Sequence, residues 1–383
     1  MNARRRRLLK GVLSCPTSPF CERAVIEYVR HWASRRGAAF AQDAAGNVLL
    51  STTGAVRRRG MSGARAAKSP TWVFTAHMDH PGFVVCRSRG RGVWAEFRGG
   101  VAKEYFLASP VRLFTGNGEL VATVATARRS ARHGLLDCRL ELCDAAPADV
   151  PPGSIGMWDV PVFRNRGGRI AARACDDLAG CAAVLAALEE IIARGVDAKV
   201  LGLLTRAEEV GFVGALAACR LGTIPAGAMV VSIETSKAQP AAGVGGGVVI
   251  RVGDKLRTFN ESLTAHISAV AAGLSKTNRD FRFARQLMPG GTCESTVFSA
   301  LGHTAAALAM PLGNYHNQHP RGRIAPEVID EGDFDCLVDL LVALASDKRT
   351  CADTDADLRR RLDGLLKSHR KTLDEPGPWS PRH

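Results

Sequence analysis

Histidine and acidic residues stand at the ends of several apolar segments of this 383-residue chain and at the start of one helical segment. They are His77, Asp79, Asp176, Asp177, Glu208, Glu209, Glu234 and His316. Imidazole nitrogens and carboxylate oxygens together form a ligand set that suits zinc, cobalt or manganese. The pattern therefore predicts a site for divalent cations, provided that the fold brings these residues together.

Four apolar runs are predicted to be the strands that position these residues. They are residues 71–76, 200–205, 228–233 and 304–310. Continuous apolar runs are typical of strands covered on both faces, and helical periodicity lies between them, at 177–194, 261–274 and 329–345. Strands that alternate with helices predict an α/β domain with a mainly parallel central sheet flanked by helices. Ligands bind beyond the carboxyl ends of strands in such sheets, so one pocket can collect the ligand candidates.

The stretch from 83 to 167 breaks this alternation. It holds short β-like segments between glycine turns and no long helical pattern, which predicts a small all-β domain inserted into the α/β domain. The predicted domains are a discontinuous α/β catalytic domain (1–82 and 168–346), a barrel-like insert (83–167) and a charged tail (347–383). A helix is predicted to begin with Ser18 as its cap, and an arginine- and glycine-rich span at 57–68 is predicted to be a loop.

Composition narrows the class of protein. The net charge is +14, but the arginines are dispersed and aromatic residues make up only 6%, so a nucleic-acid partner is not expected. No run of about 18 apolar residues exists, so neither a spanning helix nor a membrane partner is expected. The eleven cysteines include no Cys-x-x-Cys pair and fit reduced thiols. Since no secretory pattern follows the basic start, we expect a cytoplasmic protein.

The motifs resemble those of the dinuclear metallo-exopeptidases. The resemblance lies in His77-x-Asp79, Asp176-Asp177 opening a helix, Glu208-Glu209-Val-Gly, and Tyr315-His316. Within that clan the chain is most similar to the glutamyl or tetrahedral-type aminopeptidases, which also carry a β-domain between the first histidine and the bridging aspartate. The resemblance implies a metalloaminopeptidase that acts on peptides and forms homo-oligomers. It also implies two divalent metal ions, with zinc as the leading candidate and cobalt or manganese as alternatives.

A role for each residue follows from the same resemblance. The implied metal ligands are His77, Asp176, Glu209, Glu234 and His316. Asp176 would bridge the two ions, and Asp79 would orient His77 through its second ring nitrogen. Glu208 would be the general base, which takes a proton from water and returns it to the leaving amine.

Departures from the family pattern leave alternatives open. Glu234 stands where the family usually has an aspartate, and His319 is close enough in sequence to replace His316 as a ligand. Asp177 is interpreted as a helix cap. One alternative function is a dipeptidase, carboxypeptidase or N-acyl-amino-acid deacylase of the same clan, which would need an arginine near the site. The candidates for that role are Arg206, Arg282 and Arg285. Another alternative is a catalytically silent, metal-free scaffold.

Overall fold

The computed structural model describes residues 1–52, 71–130, 135–143, 150–375 and 377, and the predicted loop at 57–68 lies outside them. Within the described residues the helices are α1 (Ala3–Leu13), α2 (Arg23–Arg36), α3 (Leu178–Ala193), α4 (Val213–Arg220), α5 (Glu261–Thr277), α6 (Glu294–Ala300), α7 (Glu331–Ser346) and α8 (Cys351–Asp374). None of these helices is long and apolar enough to cross a membrane.

The strands divide between a central sheet, a closed barrel and two small sheets. In the described residues they are β1 (Ala39–Gln42), β2 (Val48–Ser51), β3 (Thr71–His77), β4 (Gly82–Arg89), β5 (Gly92–Arg98), β6 (Pro110–Thr115), β7 (Gly118–Arg129), β8 (Leu135–Leu142), β9 (Ile155–Trp158), β10 (Phe163–Arg166), β11 (Arg169–Ala172), β12 (Lys199–Thr205), β13 (Met229–Lys237), β14 (Val248–Gly253), β15 (Phe283–Leu287), β16 (Thr304–Leu312), β17 (Gln318–His319), β18 (Arg323–Ile324) and β19 (Glu327–Asp330).

The central sheet has the strand order β1-β2-β12-β3-β13-β16-β14-β15. Its four middle strands, β12, β3, β13 and β16, run parallel and coincide with the four apolar runs of the sequence. These strands are apolar throughout because both faces are covered: Phe74 of β3 packs into the core that contains α3, and Val73 packs into the core that contains α6. The predicted α/β class with a mainly parallel sheet is confirmed.

A closed antiparallel barrel is inserted between the first and second parallel strands along the chain. It has the order β4-β5-β8-β7-β6-β9 and spans residues 82–158. Its core contains Phe83, Phe97, Phe106 and Trp158, whose rings meet mostly edge to face. The next hairpin, β10–β11, pairs with β19 in a separate three-stranded sheet. The structure therefore contains the small antiparallel domain that the glycine-punctuated short strands predict.

Two helix starts differ from the prediction. The helix expected to begin at Ser18 begins at Arg23, because Phe20 adopts a left-handed φ of 68° and Glu22 stands at the cap. The helix expected from Ile329 begins at Glu331, because Ile329 is a strand residue that pairs with Ile170 of β11. In the tail, α8 contacts α5 at its beginning and is otherwise exposed.

Candidate metal centre

Adjacent parallel strands carry the candidate residues to one edge of the sheet. His77 ends β3 and pairs in register with Thr205, the last residue of β12, so Glu208 and Glu209 follow at that same edge. Glu234 lies near the end of β13, the next strand along the sheet. Asp176 precedes α3, and the peptide bond that follows it is cis. The topology thus gathers side chains that are far apart in sequence.

Two groups of ligand candidates share Asp176, and a third potential metal-binding group joins His77 to Glu208 and Glu209. His77 Nε2 lies 3.5 Å from Asp176 Oδ1 and 3.8 Å from Glu234 Oε2. His316 Nε2 lies 3.6 Å from Asp176 Oδ2 and 3.1 Å from Glu209 Oε1. Ligand atoms bound to one tetrahedral ion at about 2.0–2.2 Å are about 3.3–3.6 Å apart. Two of the four spacings fall in this range and the other two lie within about 0.2 Å of it, so the arrangement fits two cation positions, each beside one oxygen of Asp176.

The buried carboxylates of the site also favour the binding of cations. His77, Asp176 and His316 are almost fully buried, and Glu208, Glu209 and Glu234 add three carboxylates around them. Buried carboxylates are unfavourable unless cations or hydrogen bonds compensate them. Burial and the carboxylate of Asp176 raise the pKa of Glu234 to about 8 despite the nearby His77. Glu234 Oε1 is buried and has no hydrogen-bond partner among the described residues, so it is available as a ligand atom.

The protons of both histidines are directed by backbone carbonyl groups. His77 Nδ1 lies 3.1 Å from the carbonyl oxygen of Asp79, and His316 Nδ1 lies 2.6 Å from that of Gly100. A carbonyl oxygen only accepts, so Nδ1 carries a proton in each ring and Nε2 is the nitrogen that faces the site. Burial alone lowers the pKa of each histidine, but the surrounding carboxylates raise both well above the ordinary value.

Asp79 contacts His77 and also the turn that carries Glu208 and Glu209. Its Oδ1 lies 3.5 Å from His77 Nδ1, which is long for a hydrogen bond. The same carboxylate accepts hydrogen bonds from the backbone N–H groups of Glu208 at 2.9 Å and of Glu209 at 3.0 Å. Asp79 therefore fastens the turn that carries Glu208 and Glu209, in addition to lying behind His77.

Glu327 is a buried residue of the site that sequence reasoning missed. Its Oε2 accepts hydrogen bonds from the backbone N–H groups of Cys175 at 2.6 Å and Asp176 at 3.0 Å. Its Oε1 accepts one from His316 N at 2.8 Å. One carboxylate thus joins the segment that carries Asp176 to the segment that carries His316. No local pattern around Glu327 signals this, because its position depends on the pairing of β19 with β11.

The remaining sequence candidates fall outside the two groups. Asp177 caps α3 by accepting a hydrogen bond from Gly180 N at 3.2 Å, as the sequence predicts. The ring of His319 accepts a hydrogen bond from Arg321 N, and His319 belongs to none of the potential metal-binding groups of the described residues. Of His316 and His319, it is therefore His316 that lies beside Asp176.

A cavity of about 400 Å³ opens beside the ligand candidates. Among the described residues its wall includes Lys237, Gln239, Arg251, Met288 and Thr292, but none of the arginines considered from the sequence. Arg206 instead pairs with Glu22 at 2.8 Å. Arg251 is only 3% exposed; its Nη1 donates to Ser236 Oγ at 3.1 Å, and its Nε has no partner among the described residues. The cavity thus joins a cluster of carboxylates to one buried guanidinium group.

Open α/β sheets bind ligands beyond the carboxyl ends of their strands, and sites for two metal ions occur in several classes of hydrolase, aminopeptidases among them. The model of the M42 glutamyl aminopeptidase family matches residues 60–325, more than two thirds of the chain. The chain belongs to this family and is a metalloaminopeptidase. No curated protein matches it in sequence.

Solved structures share the fold at low sequence identity. The TET1 peptidase of Pyrococcus horikoshii is 20% identical, with a TM-score of 0.69 over 89% of this chain and 99% of that one. A TET aminopeptidase from a marine sediment thaumarchaeote is 17% identical, with a TM-score of 0.71 over 92% and 99%. An aminopeptidase from Desulfurococcus kamchatkensis is 18% identical, with a TM-score of 0.70 over 92% and 97%.

Proposed function

We propose that the chain hydrolyses N-terminal residues from peptides with two divalent cations, with zinc as the leading candidate and cobalt or manganese as alternatives. The ligands of this proposal are His77, Asp176, Glu209, Glu234 and His316. The observation that carries it is the pair of groups with ligand-like spacing on either side of Asp176. Cations bound there supply Lewis acidity, which acidifies water and polarises a carbonyl group.

Glu208 is the proposed general base. Its Oε2 lies 4.0 Å from His77 Nε2, and its side chain is 11% exposed at the cavity wall. There it can accept a proton from the attacking water and deliver it to the leaving amine. Asp79 holds Glu208 in place through the backbone N–H group of Glu208. Burial and the neighbouring carboxylates raise the pKa of Glu208 well above its ordinary value, whereas His77 acts in the opposite direction.

The proposed substrates carry an acidic N-terminal residue. The family is described as glutamyl aminopeptidases, and Arg251 places a buried guanidinium group with an unpartnered Nε in the cavity wall. Lys237 adds a second cation to the same wall. Guanidinium groups bind carboxylates by charge-assisted hydrogen bonds, so a glutamyl or aspartyl side chain suits this wall better than an apolar one.

Assembly and location are further parts of the proposal. The Pyrococcus horikoshii peptidase forms a tetrahedron or an octahedral shell, and by analogy we propose that this chain forms a homo-oligomer. A cytoplasmic location agrees with the cysteines, which are all free in the structure. Reducing compartments keep thiols in that state.

The test is a comparison of substrates. Wild-type protein loaded with metal should cleave glutamyl-p-nitroanilide faster than leucyl-p-nitroanilide, and it should leave N-acetyl-glutamate intact. Replacement of Arg251 by Met should lower kcat/KM for the glutamyl substrate about 100-fold, the size of one lost charge-assisted interaction, and change the leucyl value only a few-fold. The exposed Arg282, replaced in the same way, is the matched control. Turnover of N-acetyl amino acids alone would instead support a deacylase.

A further inference from the structure

The segment that carries His316 has a strained backbone. Asn314, His316 and Asn317 adopt left-handed φ angles of 55°, 53° and 62°. Asparagine and histidine adopt this region more often than most residues other than glycine, but three such residues within four positions persist only when the surroundings hold them. His77, in contrast, ends the regular strand β3. The position of His316 therefore depends on contacts from outside its own segment.

Three hydrogen bonds reach this segment from the connection between barrel strands β5 and β6. The Gly100 carbonyl oxygen lies 2.6 Å from His316 Nδ1, the contact that directs His316 Nε2 into the site. The backbone N–H of Ala102 donates to Gln318 Oε1 at 2.9 Å. The Tyr105 hydroxyl donates to the His319 carbonyl oxygen at 3.1 Å. Together they join residues 100–105 of the insert to residues 316–319.

Among the described residues, no hydrogen bond joins the barrel to the ring of His77. Its Nδ1 hydrogen bond goes to Asp79 O, two residues further along the same chain segment. Cys181 Sγ on α3 contacts the His77 carbonyl oxygen at 3.1 Å, and Met78 N donates to Thr205 O of β12. These contacts all belong to the α/β domain. The metal centre therefore has two halves, the His77 half with Asp176 and Glu234 and the His316 half with Asp176 and Glu209. They differ in their dependence on the insert.

We propose that the inserted barrel positions His316, so that the cation position formed by Asp176, Glu209 and His316 depends on barrel contacts that the His77 position does not need. Tyr105 and Gln318 are then positioning residues, which act on His316 through the backbone of its own segment. This inference rests on the proposed metal centre, and it assigns the insert a part in that centre.

The experiment isolates each cation position. In a His77→Ala background only the Asp176–Glu209–His316 position keeps all its ligands, and in a His316→Ala background only the His77–Asp176–Glu234 position does. Co²⁺ is titrated by calorimetry into the metal-stripped full chain of each background, with and without the double replacement Tyr105→Phe and Gln318→Ala. A matched control, Tyr28→Phe with Gln42→Ala, removes the same groups from α2 and β1. Circular dichroism reports whether each variant is folded.

The expected result is selective. The Tyr105/Gln318 pair should weaken Co²⁺ binding about 10-fold in the His77→Ala background, as is usual when groups that orient a ligand are lost. Affinity in the His316→Ala background should stay within about twofold of its starting value, and the control pair should change neither. Equal weakening in both backgrounds, weakening only in the His316→Ala background, or no weakening would overturn the inference. Failure of the wild-type chain itself to bind Co²⁺ would instead refute the proposed metal centre.

Discussion

The two histidines of the candidate metal centre stand on different kinds of backbone. His77 ends a parallel strand inside the sheet, and residues close to it in sequence orient its ring. His316 lies in a left-handed turn; Glu327, eleven residues further along the chain, holds its backbone, and Gly100 of the inserted domain holds its ring. A strand end is stable through the sheet to which it belongs. A ligand on a turn depends on every contact that holds that turn, so the second half of the centre is the more vulnerable one.

The largest expected effect is the loss of turnover on replacement of Glu208, a change that should leave both halves of the metal centre intact. Glu208→Gln should lower kcat by about 10²–10⁴-fold, because the amide cannot accept the proton from water. Metal content should stay at the wild-type level, since Glu208 is not among the proposed ligands. Elemental analysis and glutamyl-p-nitroanilide turnover of the same sample check both statements. Glu27→Gln, on α2, where the side chain is 42% exposed and pairs with Arg30, is the matched control. Retained activity would assign the base to another residue.

Glu327→Ala should weaken cation binding in both halves of the metal centre. Its carboxylate holds both the Asp176 segment and the His316 segment, and the replacement leaves three buried backbone N–H groups without their acceptor. Both cation positions should therefore lose affinity, about 10- to 100-fold, in contrast to the selective effect expected from the barrel contacts.

Chelator competition in the His77→Ala and His316→Ala backgrounds measures the effect of Glu327→Ala. Glu331→Ala, at the start of α7, is the control for loss of a glutamate in the same region. Loss of affinity at only one position would show that Glu327 supports a single half.

A smaller effect concerns the free energy of unfolding and the buried Glu294, which accepts a hydrogen bond from the strand that carries His77. Glu294 is buried, accepts a hydrogen bond from Thr75 Oγ1 at 3.3 Å and has a pKa raised by burial to about 7. The folded state therefore keeps a proton that the unfolded chain releases near pH 4.5. The contribution of Glu294 to stability is complete below that pH and is lost as the pH rises to about 7, by at most about 1.4 kcal/mol per pH unit.

Urea denaturation of the metal-free protein at pH 5 and pH 8 measures this contribution. The free energy of unfolding should fall less between the two pH values for Glu294→Gln than for the wild type. An identical fall in the free energy of unfolding for the two proteins would show that Glu294 does not titrate between these pH values. Glu27→Gln, whose side chain is 42% exposed, should behave as the wild type does.

The sequence predicts the parts of the fold that local composition encodes. The four parallel strands lie where the apolar runs are, since a strand covered on both faces needs apolar side chains throughout. The sequence also predicts which residues stand at the carboxyl ends of these strands, because they follow directly after the apolar runs. Helix α3 and its cap Asp177 also follow from local spacing and from the preference for acidic residues at helix starts.

The parts that the sequence does not predict depend on contacts between distant segments. Glu327 gains its role only when β19 pairs with β11, and Arg251 enters the cavity wall only because β14 lies antiparallel beside β16. No local pattern predicts helix α1 either: its start is almost entirely basic, and ion pairs of Arg5 with Glu190 and Asp339 on other helices hold it. These pairings are long-range, so no local pattern indicates them.

The most direct test is an anomalous-diffraction measurement on crystals of the protein purified without chelator. Two divalent ions per chain are expected about 3.5–4 Å apart, with Asp176 between them and one histidine, His77 or His316, on each. Fewer than one ion per chain, or ions that do not contact these residues, would contradict the proposed metal centre.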